Sequence, residues 1–262
     1  NLNEIHGVNY PVRYWRIIIG LWLLGFIHVL YDRYQSIRSA VEYGKVKNTI
    51  VFALDRSKYV PQDFGVFSKW ATRCDEYNYY LYSRIIEDTK KIPFELLDCV
   101  AQETSHSDDV SDATKEPFSF KKIIKGCLQY TPQFFNKMVI VESCLDVKDV
   151  MKLQFSLNRL PYWTDSKGQT LNLKINSDLR NRIQLQSSGD GFQNLLMRMI
   201  TEQIPTSYVE GYAKMCRIAL KAYPKYPKII FTSGAWNVNE VFKFWAAYHV
   251  DRNVKLLISQ HG

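Results

Sequence analysis

Residues 255–262 read "KLLISQHG", an apolar run that gives way at once to Gln260, His261 and Gly262. A histidine directly after a core strand, with glycine behind it to clear space, is placed to take a proton near neutral pH. A histidine that only hydrogen-bonds to its own loop would give the same pattern, so position alone leaves both readings open. A second polar run, "TSGAWN" (232–237), also follows an apolar segment. Ser233 and Gly234 there allow close backbone approach, and the free amides of a following helix can hold an anion such as a phosphate.

Two further apolar runs, "NTIVFAL" (48–54) and "KMVIVES" (137–143), deliver Asp55 with Arg56 and Glu142 with Ser143. Four strands ending in polar or ionisable groups would form an active-site rim. Capped or ion-paired surface carboxylates at Asp55 and Glu142 would look identical. His249 falls near the buried stripe of its helix, and His28 within an apolar helix reads as a hydrogen-bonded core histidine.

Other chemistries lack their residues. The chain has no G-x-G-x-x-G, no Walker A pattern, no G-x-S-x-G and no H-E-x-x-H. The D-x-D pair of metal-dependent sugar transferases is missing, and "DVKD" (146–149) has the wrong spacing with a lysine inside it. The expectation is a mechanism with neither metal nor cofactor. Cysteines 74, 99, 127, 144 and 216 contain no C-x-x-C, which argues against a disulfide framework or a zinc site and fits a reducing cytoplasm. The net charge of +8 comes from scattered basic residues without a recognition helix, RNP-like or zinc-finger pattern, so no nucleic-acid partner is expected.

The elements that must position these residues follow from periodicity. From Pro11 to Glu42 apolar residues recur at helical spacing. The first half, "IIIGLWLLGFI" (17–27), is apolar nearly all round. It is about half the ~20 residues of a membrane span, and predicts a helix inside the protein. Residues 64–88 read as helical, 102–117 and 159–169 as loops, 187–192 as a turn into a helix at 192–203, and 206–222 as a further helix. In the last forty residues a strand (227–232), a helix (238–250) and a strand (254–259) make a βαβ unit with parallel neighbours and a right-handed crossover. Asn237 would cap that helix with Glu240 as its capping-box partner, and Val238, Val241, Phe242 and Trp245 would form its buried stripe. The class is α/β with a parallel sheet, whose ligands bind beyond the carboxyl ends of the strands.

Two blocks carry a family resemblance. "IFTSGAWNVNEVFKFWAAYHVDRNVKLLISQHG" (230–262) resembles the signature of bacterial transferases encoded with O-antigen and other surface-carbohydrate genes, in which a "TS" turn and a "VFKxWAA" helix lead to Q-H-G-G. "HGVNYPVRYWRIIIGLWLLGFIHVLYDR" (6–33) is similar to the N-terminal block of the same family. The Q-H-G also resembles the His-Gly motifs of capsule Kdo transferases and polyol-phosphate transferases.

The resemblance implies a GT-B-like, two-domain transferase. Residues 1–262 would be most of its N-terminal, acceptor-side Rossmann-like half, with a helical segment at 11–43, and a donor-binding half would follow. His261 would deprotonate the acceptor hydroxyl, with Gln260 and Gly262 shaping its loop and Thr232, Ser233 and Asn237 lining the cleft. His6, Arg13 and Arg16 match the N-terminal block, as acceptor or phosphate contacts or as buried ion pairs. The implied enzyme is a cytoplasmic glycosyltransferase of surface-polysaccharide assembly, using a nucleotide-activated sugar donor and a glycan or lipid-linked acceptor, and the basic surface could also hold it peripherally at the inner face of the cytoplasmic membrane. Polyol-phosphate transfer, nucleotide-sugar epimerisation and a non-enzymatic lipid-docking scaffold are the alternatives.

Overall fold

The computed structural model describes residues 1–98, 137–156, 171, 173–183, 185 and 189–259. In chain order its helices are α1 (Leu2–His6), α2 (Val12–Tyr43), α3 (Phe64–Arg73), α4 (Asp75–Thr89), α5 (Val147–Ser156), α6 (Ser177–Asn181), α7 (Gly191–Gln203), α8 (Tyr212–Ala222), α9 (Ala235–Val238) and α10 (Glu240–Val250). The strands are β1 (Thr49–Ala53), β2 (Phe94–Asp98), β3 (Met138–Val141), β4 (Ile229–Thr232) and β5 (Lys255–Ile258).

The core is organised around α10, whose residues are all buried except Tyr248. Its sequence is apolar nearly all round, as expected of a helix with neighbours on every side. α2 and α8 pack against it, and β5 follows it directly. Its cap is Asn239, whose side-chain oxygen accepts from Phe242 N at 3.0 Å. The sequence pointed to Asn237 instead. The chain makes a separate turn at Ala235–Val238 and opens to extended backbone at Asn239 before the helix restarts. Asn237 is consequently exposed, and Val238 is 55% exposed rather than part of the buried stripe.

α2 runs 32 residues from the extended Pro11 to Gly44, which closes it at φ 70° in the left-handed conformation that suits glycine. Its buried residues are Tyr14, Trp15, Ile18, Trp22, Phe26 and Leu30, a single stripe at four-residue steps. The expectation of an enclosed first half is therefore wrong: Val12 and Leu24 are 74% and 53% exposed. His28 is exposed too, not a core histidine. The helix packs most closely on α10, α4, α3 and α7, and leaves an exposed strip through Arg16, Leu24 and His28. By length and composition α2 is apolar enough to cross a membrane, and about a third of its most apolar stretch is buried inside the protein.

The predicted 64–88 helix is two helices, separated at Cys74, which is extended at φ −113° and ψ 106°. Asp63 caps the first, accepting from Val66 N at 2.8 Å. The βαβ unit forms as expected, with β4 and β5 parallel neighbours and Thr232 opposite Ile258. β3 joins the other side of β4, parallel, with Val141 opposite Thr232. β1 does not join them. It pairs in parallel with β2, a strand the sequence reading missed, in a separate two-stranded sheet. The expected rim of four strands is thus three strands, and Asp55 belongs to the other sheet.

Candidate functional site

The carboxyl ends of β3, β4 and β5 lie side by side and are tied together by short polar contacts. After β4, Thr232 is fully buried and its Oγ1 accepts from Ala235 N at 2.9 Å, which closes the turn. Ser233 N and Gly234 N both donate to the Glu142 carbonyl oxygen, at 3.2 and 3.0 Å, strapping the end of β3 over that turn. Ser233 Oγ and Ser259 Oγ are 2.5 Å apart, joining β4 to β5. Cys144 N donates to the same Ser233 Oγ at 3.3 Å.

Glu142 carries the unusual backbone. Its φ is +46°, in the left-handed region that a non-glycine residue occupies at a cost of about 1–3 kcal/mol. The two amides on its carbonyl hold it there. Its carboxylate is exposed, and one oxygen accepts from Asn239 Nδ2 at 2.6 Å. Asn239 also donates to Tyr223 Oη at 3.3 Å, so the cap of α10 orients the carboxylate while itself being held from two sides. The result is an exposed carboxylate, two linked hydroxyls and an oriented amide at one end of a parallel sheet, where α/β proteins bind ligands.

The amides of the "TSGAWN" turn are largely spent inside the protein. Those of Ser233, Gly234, Ala235 and Asn237 go to Glu142 O, Glu142 O, Thr232 Oγ1 and Gly234 O. They do not form the open anion cradle read from the sequence. Glycine is not sterically demanded at 234 either, since a Cβ there would meet Glu142 O at 3.6 Å, an ordinary contact.

Gln260, His261 and Gly262 lie outside the described residues, immediately beyond Ser259. Asp55 caps the 3-10 turn Arg56–Tyr59, and bonds from Ser57 Oγ and N hold its carboxyl below the usual range. His6 is half-buried, with Nε2 at 3.0 Å from Tyr208 O and its ring stacked on Tyr212 at 4.0 Å. Burial lowers its pKa, so the neutral ring donates to that carbonyl. Arg13 and Arg16 are exposed, and neither forms an ion pair among the described residues. His249 is buried as expected, at 4% exposure.

Sequence reasoning missed Asn239 and Ser259, and it missed a buried ionic knot. Lys243 Nζ donates to Glu240 Oε1 at 2.8 Å, with both side chains almost wholly enclosed. Tyr208 Oη donates to the same oxygen at 2.9 Å, and Phe64 N approaches it at 3.4 Å. Burial pushes up the pKa of Glu240, and likewise that of Asp63, whose charge Lys243 also offsets. A glutamate and a lysine three apart on an otherwise apolar helix are the available signal, since buried charges must pair. Among the described residues no three His, Cys, Asp or Glu side chains converge to hold a metal ion.

No curated protein and no solved structure matches this chain. A family model does, over residues 1–262, the entire sequence. Its description is LIC12162 family transferase, and the chain, with its polar cluster at the ends of three parallel strands, belongs to that family of transferases.

Proposed function

We propose that this transferase is a glycosyltransferase-like enzyme of bacterial surface-polysaccharide assembly, GT-B-like in architecture, and that residues 1–262 form its acceptor side. It moves a sugar from a nucleotide-activated donor to a glycan or lipid-linked acceptor without a metal, in the cytoplasm or at the inner membrane face. The observation that carries the reading is the convergence of Glu142, Ser233 and Ser259 at the carboxyl ends of β3–β5, two residues before His261.

In this reading His261 takes the proton of the acceptor hydroxyl as that oxygen attacks the anomeric carbon. The bond from that carbon to the donor phosphate breaks, and the nucleotide leaves with the electron pair. A positioned base contributes about 10²- to 10⁴-fold. The Glu142 carboxylate accepts hydrogen bonds from the acceptor's neighbouring hydroxyls, and the half-buried Ser259, held by the buried Ser233, offers a further hydroxyl.

The test is complementation of a gene-deletion strain with wild type or His261→Ala, with surface polysaccharide resolved on a gel and folding checked by a thermal melt. A folded variant that leaves the polysaccharide truncated supports the reading, and normal polysaccharide overturns the role of His261. Assays with nucleotide-sugar donors, with and without acceptor, decide the reaction. Sugar transfer needs the acceptor, epimerisation does not, and a polyol-phosphate product would replace the donor class.

A further inference from the structure

Beside the polar cluster lies a groove of about 350 Å³ between the outer face of α2 and the edge of the β3–β5 sheet. Its walls are apolar: Ile17, Leu21 and Leu24 from α2, and Trp236, Leu256 and Ile258 opposite. It is open along one side, since Leu24 and Ile258 are 53% and 49% exposed. Gly20 leaves it room in the middle, where an added Cβ would meet only Arg16 Cγ, at 3.4 Å.

Among the described residues the groove has one charge without an ion pair. Lys243 touches its lining but is neutralised by Glu240. Arg16 stands at the groove, exposed and without an ion pair among the described residues. Two residues of the groove adjoin the candidate site along the chain or by a hydrogen bond. Ile258 precedes Ser259, whose hydroxyl meets Ser233, and the Trp236 indole N–H donates to Ser233 O at 3.1 Å.

We infer that this groove binds the single hydrocarbon chain of a lipid phosphate, with Arg16 on the phosphate, and so presents a lipid-linked acceptor to the Glu142–Ser233–Ser259 cluster. The inference rests on the proposed sugar-transfer reading and narrows its acceptor class. Size and charge select the occupant. A helix is about 10–12 Å across with its side chains, so that even one 5.4 Å turn occupies roughly 400–600 Å³, more than the groove holds. A second copy of the chain would need roughly 800 Å² on each side, far more than the groove presents. An alkyl chain fits a slot of this volume, and the exposed Arg16 guanidinium beside it complements an anionic head on an apolar tail.

The test is calorimetric titration of the protein with hexyl, octyl and decyl phosphate below their micelle concentrations, with octanol and inorganic phosphate as controls. Affinity should rise ~2- to 4-fold per added methylene, as expected for burying a chain in a half-open groove. Gly20→Leu fills the slot and replaces glycine with a better helix former; it should weaken decyl phosphate at least tenfold while keeping the melting temperature. Arg16→Gln should erase the preference for octyl phosphate over octanol.

Affinity independent of chain length, or unchanged in Gly20→Leu, overturns the inference. Inorganic phosphate binding as tightly as decyl phosphate overturns it in favour of a free-anion site. Binding to phosphatidylglycerol vesicles without binding to the soluble alkyl phosphates overturns it in favour of a membrane-adsorbing face. Binding is read without turnover, so a protein that holds the chain but fails the sugar-transfer assay keeps the groove and loses only the reaction.

Discussion

The two signature blocks of this chain use their polar groups in opposite ways. In the N-terminal block they turn inward. His6 bonds Tyr208 O, Trp15 Nε1 donates to Asn3 Oδ1 at 2.8 Å, and Tyr14 Oη meets Tyr212 Oη at 2.9 Å. Tyr10 stacks on Tyr14 at 3.9 Å. These contacts clamp α1 and the start of α2 onto α8, and leave Arg13 and Arg16 facing out. In the C-terminal block the polar groups gather at the ends of strands, around an exposed carboxylate on strained backbone. A recognisable motif can therefore mark a packing joint as readily as a site. What separates them is that the C-terminal cluster leaves the Glu142 carboxylate exposed at a strand end, although its hydroxyls and amides are bonded within the fold.

Four measurements break or sharpen that contrast. The largest effect on turnover is expected at Glu142→Gln, which keeps an acceptor for Asn239 Nδ2 and removes the charge. Transfer should fall by about 10² or more, on the scale of lost positioned groups, with the thermal melt little changed. Equal activity would reduce the strand-end cluster to a structural tie.

Next is Glu240→Ala, inside the C-terminal block but in its packing core. It leaves the Lys243 ammonium buried without a partner, and a broken buried pair costs about 3–5 kcal/mol, read by denaturant unfolding. Glu240→Leu combined with Lys243→Met should recover most of the loss.

Third is the acid dependence of stability through His249. Burial, reinforced by Arg252, lowers its pKa to about 4, and its ring packs edge-on to Trp245 at 5.2 Å. The folded protein holds it neutral where the unfolded chain, titrating near 6.5, takes up a proton. Its contribution is whole above pH 6.5 and is lost as pH falls from there towards 4, about 3 kcal/mol in total. His249→Phe should flatten that part of the pH profile, and an unchanged profile would refute the assignment.

The smallest is His6→Ala. It removes one hydrogen bond and a ring stack, about 1–2 kcal/mol by melt, with kcat unaffected at permissive temperature. A fall in kcat without a fall in stability would move the N-terminal block into the site.

Much of the fold was legible in the chain itself. The long helix, all four strands of the apolar runs and the parallel βαβ unit appear where periodicity predicted them. What failed did so for tertiary reasons. Asn237 and Asn239 are equally good caps by type, and the choice depended on the short turn at Ala235–Val238 that Glu142 straps down. β2, "FELLD", has one partly buried residue and four exposed ones, so it showed no clean alternation. Glu142 and Asp55 both followed strands and looked alike, but sheet membership separates them. Ser259 carried no motif, and its importance comes from lying 2.5 Å from Ser233 Oγ.

The sequence by itself determined the local elements, the α/β class, the parallel strand–helix–strand unit and the membership of a transferase family. Those rest on periodicity, capping chemistry and motif order, all of which act over a few residues. Only the tertiary structure decided that the strands divide into two sheets, that a strip of α2 stays exposed, that Glu240 and Lys243 are buried together, and that Glu142, Ser233 and Ser259 meet. Each depends on contacts between residues far apart in the chain, where pairing and burial are set by which neighbours arrive and not by what any short segment prefers.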